Sequence, residues 1–381
     1  MHKLKKMAKS IFFWLVVFLL LIFLAFFFIY PQFLSGHISY QFSNAENKNQ
    51  NLPPVPVYPP LDKVAYDAKM LALANNPPPP APTTKKVKDP KTGVITTVTV
   101  PPKPAPSNLW PVANLPYPVA GAILPFKRII AYYGNLYSKD MGVLGQYPED
   151  VMLGMLNAEV AKWNLADPAT PAIPALHYIA VTAQGSAGSD GKYRFRMPDS
   201  QIDKVIQMAA KINALVFLDV QVGLSTVQVE VPLLDKYLKM PQVHLGIDPE
   251  FSIKSNSRPG IIVGTLDASD INFVANYLAG VVRKNNLPPK VLVVHRYTEH
   301  MVTNSQAITP LPEVQIVMNM DGWGFKEKKI NTYQQFIYKK PVQFTGFKLF
   351  YKNDILSPGS VLMTPAELLK LNPQPIYIQY Q

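Results

Sequence analysis

The segment ALVFLDVQVGLSTVQVEVPLLDKYLKMPQVHLGIDPE, residues 214–250, contains two apolar runs separated by a more polar stretch. Each run has the length and branched side chains of a buried strand, and residues 229–240 between them have helical spacing. A strand, a helix and a second strand in succession predict parallel neighbours in one sheet. The second run ends on two acids, Asp248 and Glu250, with one proline between them.

The same alternation extends over the rest of the chain from residue 127 onward. Eight strand candidates span residues 127–134, 172–181, 214–223, 242–251, 290–298, 313–323, 344–352 and 375–381. Eight such units in about 255 residues predict a closed (β/α)8 TIM barrel, an α/β fold that usually takes roughly 250 residues. The alternative is a doubly wound open sheet, which usually has a Gly-rich phosphate loop after its first strand. The sequence AYYGNLYSKDMGVLG, residues 131–145, is not such a loop.

The first 34 residues predict a membrane anchor. A basic tail, residues 1–10, precedes an apolar run from Ile11 to Tyr30, and a membrane span needs about 20 apolar residues. This run is longer than the apolar region of a cleaved signal peptide, and no clear small-residue cleavage site follows it. We therefore expect a single transmembrane signal anchor at residues 11–34, with the tail in the cytoplasm and the rest of the chain extracytoplasmic at the cell membrane.

Residues 35–118 predict a Pro-rich extracytoplasmic stalk. Of the 38 prolines, 18 lie between Leu52 and Pro118, and such composition favours extended, semi-rigid spacers. Two islands interrupt it: residues 61–75 have helical spacing, and residues 92–100 are typical of a strand or small hairpin. Docking of either island on the following domain, residues 119–381, is left open.

Charge and cysteine content exclude several classes of protein. The net charge is +12, but residues 127–381 carry 25 Lys/Arg against 21 Asp/Glu, so we expect no nucleic-acid partner. The absence of cysteine excludes disulfides and thiolate metal sites. The six histidines show no ligand spacing, so no metal and no cofactor are expected, and His177 and His244 are interpreted as core histidines. We expect a monomer.

Four acids are the candidate catalytic residues. In a parallel barrel, alternate residues face the interior, and functional groups gather at the carboxyl ends of the strands. This places Asp248 and Glu250 on one face of strand four, with Asp219 on strand three and Asp321 on strand six. Carboxyl groups buried together raise the pKa of at least one of them, which makes a general acid available near neutral pH. The candidate substrate-binding residues near the same end are Tyr133, His295, Tyr297, Asn319, Trp323 and Gln379.

Paired carboxylates with aromatic platforms and amide donors are the groups that glycoside hydrolysis uses. The D-x-E pair Asp248 and Glu250 at the end of strand four resembles the pattern of family 18 glycoside hydrolases, which are chitinase-like, and of family 25 lysozymes. The resemblance implies a barrel enzyme with Glu250 as proton donor and Asp248 as its helper. Family 18 has a longer run, D-x-x-D-x-D-x-E, and Gly246 stands where that run has an Asp. Family 25 has a further Asp on strand one, where this chain has AYYGN, residues 131–135.

Two alternatives concern function. Lys348 and Lys352 near the end of strand seven could bind an anion, but solvated strand ends are the favoured interpretation. A barrel that has lost catalysis could still bind sugar as a surface module in the cell wall. The favoured hypothesis is a membrane-anchored, extracellular, glycoside-hydrolase-like protein acting on a cell-wall or environmental polysaccharide. It predicts that Asp219, Asp248, Glu250 and Asp321 meet around one concave pocket.

Overall fold

A computed structural model describes residues 58–78, 83–88, 90, 93–100 and 108–381. The predicted tail, residues 1–10, and the predicted anchor, residues 11–34, lie outside these ranges and stay predictions, as does much of the stalk. Among the helices within the described ranges, none is both long and apolar enough to cross a bilayer.

Eight parallel strands close into a barrel, as the alternation of strands and helices predicts. Strands β1 to β8 are Arg128–Gly134, Ala172–Ala183, Leu215–Val220, Val243–Ile247, Lys290–Arg296, Val314–Met320, Phe344–Leu349 and Tyr377–Tyr380. Each strand pairs with the next one along the chain, and β8 pairs with β1, with Tyr377 opposite Ile129. This closure rules out the open doubly wound sheet. A short antiparallel strand, Arg194–Arg196, extends the sheet at the end of β2.

Helices follow the strands, and they vary in length from four to 18 residues. The α-helices around the barrel are Val143–Gln146, Glu149–Ala166, Asp199–Ala210, Val227–Glu230, Asp235–Leu238, Ala268–Asn285, Lys326–Tyr333 and Pro365–Leu368. Single turns of 3-10 helix span Val231–Leu234, Pro249–Phe251, Ser305–Ala307 and Asn353–Ile355, and a π-helical turn spans Gln334–Tyr338. The continuous helix predicted at residues 229–240 is broken because Pro232 has no backbone N–H to donate.

Two local features match the sequence pattern. Helix Ala268–Asn285 begins with a capping box in which Asp267 and Asp270 each accept a backbone hydrogen bond. The connection after β5, residues 299–310, has no clear helical spacing in the sequence, and it contains the two-residue strand Val302–Thr303, which pairs with Leu266–Asp267.

The strands divide the core into two layers. Val243, Leu245 and Ile247 of β4 pack outward among the helices. His244 points the other way and contacts Phe217, which belongs to the smaller cluster inside the barrel. Side chains of a strand alternate between faces, so the residues between these three belong to the barrel interior.

Helix Lys63–Ala74, formed by the first island, docks on the amino-terminal end of the barrel. Its Tyr66, Met70 and Leu73 are buried in the same cluster as Ile129 near the start of β1. The backbone N–H of Gln374 donates to the carbonyl of Leu73 at 2.8 Å. The second island takes part in a hairpin, in which Ile95–Val100 pairs antiparallel with Thr83–Lys88.

Candidate active site

A cavity of about 630 Å³ opens at the carboxyl-terminal end of the strands. Functional groups of parallel barrels collect at this end, because each strand passes its last residues into a loop there. This cavity is called the pocket below. The predicted site residues that line it are Tyr133, Asp248, Glu250, Tyr297, Asp321 and Trp323. Residues from β1, β4, β5 and β6 thus converge on one concave surface.

The proline between Asp248 and Glu250 gives the two acids different roles. Strand β4 ends at Ile247, and Pro249–Phe251 form one turn of 3-10 helix. Asp248 Oδ1 accepts a hydrogen bond from the backbone N–H of Glu250 at 3.1 Å, which caps this turn. The Tyr297 side chain also lines the pocket, and its hydroxyl acts to lower the pKa of Glu250. Asp248 therefore positions the backbone of Glu250, whose side chain reaches the pocket.

Both acids of this turn hold their protons more tightly than ordinary carboxyl groups. Burial raises the pKa of Asp248 well above its usual value, and the nearby carboxylates of Glu250 and Asp219 act in the same direction. Burial also raises the pKa of Glu250, with a further contribution from the charge of Asp321. A carboxyl group that stays protonated beside a bound molecule is able to act as a general acid.

Asp321, on the same pocket, is held in the ionised form. Lys348 Nζ lies 2.9 Å from its Oδ1, and His295 Nδ1 lies 2.9 Å from its Oδ2. Burial by itself would raise the pKa of Asp321, but the charges of Lys348 and His295 outweigh it and lower the pKa. The pocket therefore combines Glu250, whose pKa is raised, with Asp321, whose pKa is lowered, the contrast on which acid and base assignments rest.

Four predicted site residues lie one layer below the pocket. They are fully buried and do not line it: Asp219, His295, Asn319 and Gln379. The sequence predicts that Asp219 meets the other three acids in the pocket. The structure corrects this prediction, because Asp219 is buried beneath the pocket and does not line it. Asp219 pairs in register with Gly246, two residues before Asp248, so its carboxylate lies lower in the barrel.

Asp219 is the centre of a buried cluster. His177 Nε2 lies 3.1 Å and His295 Nε2 3.3 Å from its Oδ1, and the Tyr133 hydroxyl donates to its Oδ2 at 3.0 Å. Burial would raise the pKa of Asp219, but the charge of His295 and the hydrogen bond from His177 hold it far below the usual range. Because Tyr133 also lines the pocket, Asp219 supports the pocket floor through it.

The two histidines of this cluster differ in protonation. Burial disfavours the charged form of His295, but the carboxylates of Asp321 and Asp219 outweigh it and raise its pKa to about 10. Burial lowers the pKa of His177 to about 4. The side-chain amide of Gln379 donates to His177 Nδ1 at 3.0 Å, so the neutral ring carries its proton on Nε2, toward Asp219.

Within the described ranges, the group of side chains able to hold a metal ion is His177, Asp219 and His295. One ligand atom from each of His177, Asp219 and His295 lies within 4.8 Å of the other two, and imidazole with carboxylate suits zinc and related ions. No sequence spacing indicates this grouping, because the three donors come from the separate strands β2, β3 and β5. An ion there would have to replace the proton on His295 Nε2.

Two further pocket residues were missed or misinterpreted at the level of sequence. Lys348, expected to be a solvated strand end, is only 3% exposed, and its Nζ lies 3.9 Å from the ring centroid of Tyr133. Gln221 lines the pocket and donates to the Tyr133 hydroxyl at 3.2 Å. The alternation of β7 contained the missing signal, because Phe347 and Leu349 pack outward and leave Lys348 facing inward.

Comparison with known proteins found no matching family model and no matching curated protein. Among solved structures, the chain is similar to one described as Cellulase Cel5C_n, at 16% identity and a TM-score of 0.32, over 58% of this chain and 65% of that chain. It is also similar to one described as a ruminal GH26 endo-β-1,4-mannanase, at 11% identity and a TM-score of 0.32, over 67% of this chain and 59% of that chain. The chain thus covers less than two thirds of either protein.

Proposed function

We propose that this chain is a glycoside-hydrolase-like protein that acts on a polysaccharide, with Glu250 as its proton donor. One observation carries the proposal: the pocket holds a carboxyl group with a raised pKa, Glu250, together with an ionised carboxylate, Asp321. Cleavage of a glycosidic bond uses this pair, because the leaving oxygen must gain a proton while positive charge develops at the anomeric carbon.

The residues around the pair have supporting roles in this mechanism. Glu250 donates its proton to the glycosidic oxygen, and Asp321 stabilises the developing positive charge or activates the attacking water. Asp248 holds the turn that carries Glu250. Lys348 and His295 keep Asp321 ionised.

The aromatic residues of the pocket supply contact area for sugar rings. Tyr133, Tyr297 and Trp323 all line it, and aromatic side chains combine a large apolar surface with a polar edge. Trp323 is 49% exposed, so its ring is accessible to a bound chain.

Binding without cleavage is the second candidate, and one observation favours it. Both carboxylate oxygens of Asp321 lie 2.9 Å from a cationic partner, Lys348 or His295. A carboxylate neutralised in this way is a weaker nucleophile and base than an unpaired one. In this alternative, the acids are hydrogen-bonding contacts for sugar hydroxyls.

The cellular setting belongs to the same proposal. The basic tail and apolar run at residues 1–34 support a membrane-anchored, extracytoplasmic protein. Its substrate would then be a cell-wall or environmental polymer, which the chain binds as a monomer.

Reducing-end release by the purified full chain tests the catalytic role. The substrates are peptidoglycan, chitin oligomers and a panel of α- and β-glucans. Release by the wild type and a fall of about 100-fold or more in Glu250→Gln is expected for loss of a general acid. The rate should persist above the pH at which an exposed Glu loses its proton, because the pKa of Glu250 is raised.

Glu327→Gln is the matched control, because Glu327 is exposed at the same end of the barrel and lies outside the pocket. It should leave the rate unchanged. Equal release by Glu250→Gln and wild type would refute the role of Glu250. No release, together with retention on one polymer, would favour the binding module.

A further inference from the structure

We propose that the pocket contains a subsite for a sugar that bears a carboxylate, formed by Lys328 and Trp323. This inference rests on the proposed function and names the substrate class more closely. Both residues line the pocket, and Lys328 Nζ lies 4.7 Å from the centroid of the Trp323 ring. The cation and the exposed indole therefore form one continuous surface.

Of the three lysines in the first turn of helix Lys326–Tyr333, Lys328 is the one without a carboxylate partner among the described residues. Lys326 pairs with Glu367, and Lys329 pairs with Asp354. Lys328 forms no ion pair within the part of the chain that the structure describes. An exposed lysine beside a sugar platform is then available to an anion carried by the ligand.

The backbone of the loop lets Lys328 lie in this position. Gly324, one residue after Trp323, has φ of +137°, and a Cβ on it would lie 2.8 Å from Lys328 Cδ. The glycine thus leaves room for the lysine side chain to lie against the loop.

The position of Lys328 is unfavourable for the helix that carries it. Lys328 lies in the first turn of helix Lys326–Tyr333, whose N-cap, Phe325, offers no side-chain hydrogen bond. Cations near a helix N-terminus are destabilising because the helix dipole is positive there. A carboxylate bound to Lys328 would offset this repulsion. Ligand binding therefore explains a lysine at a position where it does not stabilise the helix.

Within the described part of the chain, two cations, Lys328 and Lys348, line the pocket, and the acids that line it are Asp140, Asp248, Glu250 and Asp321. Lys348 already pairs with Asp321 at 2.9 Å, which leaves Lys328 as the cation for a ligand. The pKa values of Asp248 and Glu250 are raised, so these two acids keep their protons to a higher pH than exposed acids do.

The test compares the affinity of the purified full chain for matched acidic and neutral sugars. Oligogalacturonate carries the carboxylate on the ring, and peptidoglycan glycan strands carry it on a lactyl group. Each is measured by calorimetry against the same oligomer with its carboxyl groups reduced to alcohols, at low and high ionic strength.

For at least one of the two sources, the acidic form should bind about two- to fivefold more tightly at low salt, the range of an exposed ion pair, and the preference should shrink at high salt. Lys328→Gln should bring the ratio of the two affinities close to one without lowering the melting temperature. The control Lys352→Gln, an exposed lysine at the same barrel end outside the pocket, should keep the ratio.

Equal affinity for the acidic and reduced forms of both oligomers, or an unchanged ratio in Lys328→Gln, would overturn the subsite. Binding of reduced forms alone would leave the proposed function intact while refuting the subsite. Failure of every sugar, including the neutral glucans, to bind would count against both proposals.

Discussion

At the scale of single residues, the interior of the barrel leaves no space for a side chain at Gly246. A Cβ on this residue would lie 2.3 Å from Asp219 Oδ1 and 2.4 Å from His177 Nε2. The family 18 pattern has an Asp at the corresponding place. In this chain, the carboxylate of Asp219 on β3 occupies the space beside Gly246 instead. The buried cluster of Asp219 and His177 therefore explains why a glycine stands where the family 18 pattern has an Asp.

Gly246→Ala is therefore expected to lower the free energy of unfolding by about 1–3 kcal/mol, the usual cost of overpacking a core. Gly154→Ala is the matched control, because nothing lies within 4 Å of a Cβ on Gly154. This second change should raise stability by up to about 1 kcal/mol through helix propensity. Urea denaturation measures both, and a wild-type midpoint for Gly246→Ala would contradict the steric account.

At the scale of secondary-structure elements, helix Lys63–Ala74 acts as a cover for the amino-terminal end of the barrel. Asp62 caps its first turn by accepting from the backbone of Ala65, and Asn75 ends it in the left-handed conformation. Its buried face lies against the barrel cluster. The helix therefore encloses apolar surface at the end opposite the pocket.

Two leucines of this helix provide a test of docking. Leu73 is 8% exposed and belongs to the barrel cluster, whereas Leu71 is 65% exposed. Leu73→Ala should lower the free energy of unfolding by about 2–3 kcal/mol, the lower part of the range for buried leucine. Leu71→Ala should change it by less than about 0.5 kcal/mol. Similar melting curves for the two variants would show that the helix does not dock.

At the scale of the whole molecule, buried charge ties distant strands together. His295 of β5 lies against Asp219 of β3 and against Asp321, directly after β6. Its pKa is raised from 6.5 to about 10. A raised pKa in the folded state stabilises the fold fully below pH 6.5, and this contribution is lost as the pH rises toward 10.

His295→Gln should consequently lower the free energy of unfolding by about 3 kcal/mol near pH 6. This value is at the low end of the range for a broken buried ion pair, because Asp321 keeps Lys348 and Asp219 keeps His177 as a partner. The difference from wild type should shrink by about pH 9, because above pH 6.5 the unfolded chain releases the proton that the folded wild type still holds on His295. Denaturation curves at both pH values measure this, with the exposed His300→Gln as control. A difference that stays constant with pH would exclude a charged His295.

The sequence by itself determined the eight strands, their closure into a barrel and the barrel end at which Asp248, Glu250 and Asp321 lie. These follow from local patterns, since apolar runs alternate with helical segments and side chains alternate along a strand. The predicted anchor at residues 11–34 and the predicted roles of the acids stay predictions of the same kind.

Only the tertiary structure decided the height of each side chain in the barrel and the charge that it carries. Asp219 lies below the pocket because its strand pairs in register with Gly246. Lys348 faces inward and pairs with Asp321, which directly follows the neighbouring strand β6. Height depends on the stagger between strands, and pKa depends on groups far apart in the chain, so neither is encoded in any one stretch of sequence.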